Sequence, residues 1–62
     1  MNRYLFRVQY TKPDGSVTYE PVCIRAETEA VARVELDDAT ERYAKFVNAS
    51  RTYTISSTTV EP

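Results

Sequence analysis

Histidine and tryptophan are absent from this chain of 62 residues, which also has only one glycine and one cysteine. Without histidine, one copy of the chain cannot supply the base of a Ser–His or Cys–His nucleophile. A single glycine is too few for a glycine-rich phosphate loop. One cysteine cannot close a disulfide within the chain, so a reducing cytoplasm is the expected location. These absences predict a protein that is not an enzyme and that binds no cofactor.

Long apolar runs are also missing. The chain has no stretch of about 18 apolar residues, which a membrane span requires, and no signal-peptide core follows Met1. The composition, 42% hydrophobic and 27% charged, is that of a folded protein. Residues 1–62 predict a single domain. A domain of this size buries only about 60% of the surface that its unfolded chain exposes, so its core is marginal. Small domains often gain stability by self-association.

Two runs of strand-forming residues flank one turn near the N-terminus: YLFRVQY precedes TKPDGS, and VTYEPVCIR follows it. Pro13 and Asp14 fit the central positions of a type I turn, and Gly15 can adopt the positive φ of the bulge that closes such a hairpin. The turn predicts that Lys12 pairs with Ser16, and this pair fixes the register of the whole hairpin.

The register sorts the side chains onto two faces, because successive residues of a strand alternate. Tyr4, Phe6 and Val8 share one face with Val22 and Ile24, and this apolar face is predicted to be buried. The opposite face carries the candidate partner-binding residues, which are Arg3, Leu5, Arg7, Tyr19 and Arg25, together with Cys23. Pro21 has no amide hydrogen, which places the second strand at a sheet edge.

Residues 28–47 contain no glycine or proline and predict a helix, with Thr28 as its N-cap and Asn48 as its C-cap. An apolar stripe recurs at steps of three and four: Ala32, Leu36, Ala39, Tyr43 and Phe46/Val47. Asp38-Ala39-Thr40-Glu41 resembles a capping box, which leaves open a kink near Asp37 or two short helices. One long helix is the prediction.

A third strand is predicted over residues 51–60, fraying beyond Ser57. Tyr53 and Ile55 point to the core, and Thr52, Thr54, Ser56 and Thr58 point away from it. A ββαβ order with a right-handed crossover places this strand beside the first. The expected fold is a two-layer α+β domain with an antiparallel sheet in the order 2-1-3. Its predicted core is Tyr4, Phe6, Val8, Val22, Ile24, Leu36, Tyr43, Phe46 and Ile55.

Two weaker candidates for chemistry have ordinary structural interpretations. Cys23, near Arg3 and Arg25, is either a reactive thiol or a small hydrophobic residue in a strand, and the second is favoured. An acidic group in the helix suggests a metal site or a solvated helix face: Glu35, Asp37, Asp38 and Glu41. Its spacing matches no calcium loop, so no metal is predicted.

The arginine-bearing sheet face is the most informative feature, and three interpretations of it stay open. Basic residues among aromatics on an open sheet can bind single-stranded nucleic acid, yet the pI near 5.3 is not typical of such proteins. The face could also contact a protein partner or a second copy, or it could be an ordinary solvated surface. Protein contact is the prediction, with nucleic acid as the alternative and no small-molecule substrate evident.

The pattern YLFRV…DGS…VCIRAETEAVARVEL resembles small phage and prophage accessory proteins such as the Icd-like host-division inhibitors. The shared residues are 4–8 and 24–36, which belong to the first strand, the end of the second strand and the start of the helix. The C-terminal half of the chain does not share the pattern. This resemblance implies a non-catalytic inhibitor or adaptor that acts by occupying a larger protein.

Overall fold

The computed structural model describes residues 1–61, which form a ββαβ chain. Its elements are β1 (Asn2–Thr11), β2 (Val17–Ala26), α1 (Glu29–Phe46) and β3 (Ser50–Val60). The strands make one antiparallel sheet in the order β2-β1-β3, with α1 packed on one face. The predicted two-layer α+β fold is therefore confirmed. The last residue of the predicted domain, Pro62, lies outside the described residues.

The hairpin has the predicted register. Lys12 donates its amide hydrogen to the Ser16 carbonyl at 2.9 Å, and Gly15 donates to the Lys12 carbonyl at 2.9 Å. Gly15 has a φ of 90°, which glycine adopts at low cost. Ser16 donates both its amide and its hydroxyl to the carboxylate of Asp14, and these hydrogen bonds lower the pKa of Asp14. The turn therefore closes on its own hydrogen bonds.

α1 begins and ends on local caps. Thr28 accepts a hydrogen bond from the Val31 amide at 3.2 Å, as an N-cap does. The C-cap is Val47, one residue before the predicted Asn48. Asn48 instead takes a left-handed φ of 56°. The amide of Asn48 donates to the Lys45 carbonyl and that of Ala49 to the Ala44 carbonyl, which is a Schellman motif.

α1 also runs without a break through the capping-box sequence that could have divided it. Asp38, the residue that would cap a second helix, lies inside α1, and the neighbouring Thr40 hydroxyl donates to the Leu36 carbonyl one turn earlier, at 2.9 Å. No helix among residues 1–61 combines the length and apolar character needed to cross a bilayer.

The core lies between β1 and α1. Its buried hydrophobic residues are Tyr4, Phe6, Val8, Tyr10, Ala26, Ala32, Leu36 and Ala44. Val22, Ile24, Tyr53 and Ile55 are partly buried against this core, as predicted. Tyr10, Ala26, Ala32 and Ala44 are additions to the predicted core, although Ala32 was part of the predicted apolar stripe of the helix.

The helix stripe was predicted wrongly at its C-terminal end. The buried row is Ala32, Leu36, Thr40 and Ala44, in steps of four. Tyr43 is 45% exposed and Phe46 86% exposed, and Ala39 is exposed as well. Small side chains face the sheet because Tyr10, which is 2% exposed, already fills the space beneath this end of α1.

β3 contains a bulge that the sequence did not predict. Phe6 pairs with Ile55 while Leu5 pairs with Ser57, so Ser56 is an extra residue. The bulge reverses the alternation and places Thr58 opposite Tyr4, on the helix side rather than on the opposite face. The strand does not fray after Ser57: it pairs with β1 as far as Val60, and the Glu61 amide donates to the Met1 carbonyl at 3.2 Å.

Candidate partner-binding face

The structure brings the five predicted binding residues together on one exposed surface. We call this surface the open face, and its members are Arg3, Leu5, Arg7, Tyr19 and Arg25. All lie on β1 and β2 with side chains that alternate away from α1, and all are exposed. Leu5 is 37% exposed and Tyr19 53% exposed, so apolar surface stands among the guanidinium groups.

Arg7 stacks on Tyr19. The guanidinium carbon of Arg7 lies 4.0 Å from the centroid of the Tyr19 ring. Tyr19 pairs with Gln9, and Arg7 pairs with Pro21, so the two residues are diagonal neighbours across the hairpin. A cation over an aromatic ring is worth about 0.5–1 kcal/mol at an exposed site. The contact orders two large side chains that face solvent.

Glu61 joins the other two arginines and was not anticipated from the sequence. One carboxylate oxygen of Glu61 lies 3.1 Å from a terminal nitrogen of Arg3, and the other lies 3.1 Å from Nε of Arg25. The Arg3 hydrogen bond is the main cause that lowers the pKa of Glu61, and the same bond raises the pKa of Arg3. Glu61 reaches this position because β3 extends beyond the predicted fraying point.

Cys23 lies opposite Leu5 on the same face and is exposed. Cys23 was predicted to be a small hydrophobic residue in a strand. It does lie in β2, but its side chain is not buried. Its thiol adds a small, weakly polar surface between the Arg3–Arg25–Glu61 group and the Arg7–Tyr19 stack.

Two residues of the acidic group in α1, Asp37 and Glu41, contact neighbouring side chains. Asp37 accepts a hydrogen bond from the Tyr53 hydroxyl at 2.8 Å and lies 3.3 Å from Arg51. Glu41 pairs with Lys45 at 3.0 Å, one turn along α1. Among residues 1–61, no three potential ligands come together in a way that could hold a metal ion. Asp37 therefore fastens α1 to β3.

A second exposed feature lies on the helix. Ala39, Tyr43 and Phe46 form an apolar patch that, with Arg42, lines an open cleft of about 390 Å³. Sequence reasoning assigned Tyr43 and Phe46 to the core, so it could not identify this patch. The Tyr43 ring packs edge-on against Tyr10 at 4.9 Å between centroids, which fixes one wall of the cleft.

Comparison with protein-family models, curated proteins and solved structures finds no match to this chain. The open face combines arginines and a tyrosine, which are residue types suited to recognition, with an exposed leucine.

Proposed function

We propose that this chain is a non-catalytic protein-binding module whose open face contacts an acidic surface on its partner. The observation that carries the proposal is the exposed Arg7–Tyr19 stack, with Leu5 on the same face. Arginine and tyrosine are, with tryptophan, the residues most enriched among those that dominate binding energy at protein interfaces. A tyrosine and an arginine held in one geometry lose less conformational freedom when a partner binds.

The charge of the open face defines the partner's chemistry. Three guanidinium groups stand beside one carboxylate, that of Glu61, so the face is positive although the whole chain has a formal net charge of −1. A second copy in face-to-face contact would bring like charges together. A partner surface rich in aspartate and glutamate would be complementary, and the complementarity would steer association.

In its biological setting, the module would act as an accessory protein or inhibitor by occupying a larger protein. The resemblance to small phage accessory proteins supports this role, and the single cysteine supports a cytoplasmic location. The proposed role requires no reaction.

Nucleic acid is the alternative partner, favoured by the presence of arginines and a tyrosine on an open sheet. Two contacts make it the weaker candidate. Glu61 places a carboxylate between Arg3 and Arg25, where a phosphate would have to bind. Arg7 covers one face of the Tyr19 ring, so a base could stack on that side only after displacing the guanidinium.

Titration of labelled single- and double-stranded oligonucleotides at low salt separates the two proposals. We expect no binding at tens of micromolar. If nucleic acid were the partner, three arginine contacts to a single strand would give a slope of about −2 in log K against log salt, at roughly −0.7 for each contact. Tight binding with this slope, abolished by Arg7→Glu, would replace the protein-binding proposal with the alternative.

Differential capture tests the protein-binding proposal itself. The tagged chain, Arg7→Glu and Tyr19→Ala are expressed in parallel with Arg42→Glu, which makes the same charge change on α1. A partner of the open face is retained by the wild type and by Arg42→Glu, and is lost by the other two. A protein that all four chains retain equally would show that the open face is not the contact.

A further inference from the structure

The two edge strands differ in what their outer backbone groups can offer. Lys12 and Ser16 form a hydrogen-bonded pair, so hydrogen-bonded and non-hydrogen-bonded pairs alternate from there along the hairpin. By this alternation the nitrogen of Pro21 points away from β1, and its missing hydrogen removes a donor from the middle of the β2 edge. Pro21 therefore blunts the β2 edge against further pairing.

The β3 edge has no such protection before its bulge. Arg7 directs its amide toward β3 and pairs with Thr54, so Thr54 bonds inward while the amides of Tyr53 and Ile55 point outward. Residues 52–55, which precede the bulge, include no charged residue and no proline, and the charge of the neighbouring Arg51 is paired with Asp37. Uncharged, proline-free edges are those most prone to add another strand.

We propose that β3 pairs antiparallel with β3 of a second copy, which makes a six-stranded sheet with two open faces side by side. Antiparallel pairing of identical strands has two-fold symmetry, so the contact closes as a dimer and cannot propagate. The proposal depends on β3 alone and stands apart from the partner of the open face.

The side chains select one register, centred on Thr54. This register places Tyr53 of each copy opposite Ile55 of the other, and Thr54 opposite Thr54. Tyr53 and Ile55 are half-buried on the helix side, and Thr54 is exposed on the other side. Aromatic residues opposite β-branched ones, and threonine opposite threonine, are favourable cross-strand pairs. No like charges oppose one another, so the strand is self-complementary.

Analytical ultracentrifugation across a concentration series tests the contact. The wild type is expected to sediment with the mass of two chains at high concentration. Thr54→Lys places two lysines directly opposite one another in the dimer, where like charges destabilise the pair, and should raise the dissociation constant by up to about fivefold. Thr54→Glu should do the same, and an equimolar mixture of the two variants should recover the two-chain species. Thr18→Lys makes the same change on β2 and should leave the dimer intact.

A cross-link gives a second readout that does not depend on weakening the fold. Thr54 of each copy would form a non-hydrogen-bonded pair with Cα atoms about 4.5 Å apart, within disulfide range. In a Cys23→Ser background, Thr54→Cys should oxidise to a covalent dimer, whereas Thr18→Cys should not.

A wild type that stays monomeric at every concentration overturns the proposal. Only a strand from another protein could then pair with the β3 edge. A dimer that is unaffected by Thr54→Lys but disrupted by Thr18→Lys also overturns it, because the contact would then lie on β2. Neither result bears on the open face, whose partner is assayed separately.

Discussion

The Tyr10 hydroxyl donates a hydrogen bond to the Glu20 carboxylate at 3.1 Å, diagonally across the hairpin. The ring of Tyr10 is 2% exposed beneath the C-terminal part of α1, so a core residue reaches a surface carboxylate. Burial, with the hydrogen bond to Glu20 as the second cause, raises the pKa of Tyr10 to about 12. The contact joins the core to the rim of β2 and makes the core sensitive to alkali.

Tyr10 should make the protein less stable at high pH. The pKa of Tyr10 is raised from about 10 in the unfolded chain to about 12 in the folded one. Its contribution to the free energy of unfolding is therefore complete below pH 10 and is lost as the pH rises toward 12. One extra bound proton corresponds to about 1.4 kcal/mol per pH unit. Urea unfolding between pH 9 and pH 12 measures this slope.

Tyr10→Phe is the matched variant for this slope. Burial also raises the pKa of Tyr53, so the variant should keep a smaller slope rather than none. Equal slopes in the wild type and the variant would mean that Tyr10 does not contribute to the alkaline loss.

Truncation should destabilise the protein strongly at one phenylalanine and hardly at all at the other. Phe6 is 0% exposed in the core and Phe46 is 86% exposed on α1. Phe6→Ala should cost about 3–5 kcal/mol, enough to unfold a marginal domain. Phe46→Ala should change stability by less than about 0.5 kcal/mol, as surface substitutions do. Thermal melts of both variants check this. Comparable losses of stability would show that Phe46 is buried in the core.

Gly15→Ala should destabilise the hairpin through its backbone alone. A Cβ at this position would meet nothing within 4 Å, yet φ is +90°. The left-handed region costs a residue with a side chain roughly 1–2 kcal/mol. Gly15→Asn should lose less, because asparagine tolerates positive φ better. Equal urea unfolding midpoints for the wild type and Gly15→Ala would contradict the bulge geometry.

The hairpin and strand order could be predicted because few residues determine them. The turn residues Pro13, Asp14 and Gly15 allow one loop geometry, and the apolar alternation of β1 allows one buried face. The order 2-1-3 follows because the third strand has to return beside the first. The five residues of the open face follow from the same alternation, which is why the structure brings them all together.

The errors arise where tertiary packing decides between local options. Two adjacent stripes of α1 were available, and the one ending in Tyr43 and Phe46 is the more apolar. Tyr10 occupies the space below α1, so the row that ends in Ala44 packs instead. The bulge at Ser56 has no local signal in a run of serine and threonine. Glu61 then meets Arg3 and Arg25 only because β3 continues past that bulge.

Site-specific photo-crosslinking in living cells is the most direct test of the open face as a protein-binding surface. A photoreactive residue replaces Leu5 on the open face or, as the control, Val34, which is 63% exposed on α1. We predict that the Leu5 position yields a covalent adduct with one larger protein, that Arg7→Glu abolishes this adduct, and that the Val34 position yields none. An adduct from Val34 alone, or an adduct from Leu5 that nuclease digests, would contradict the account.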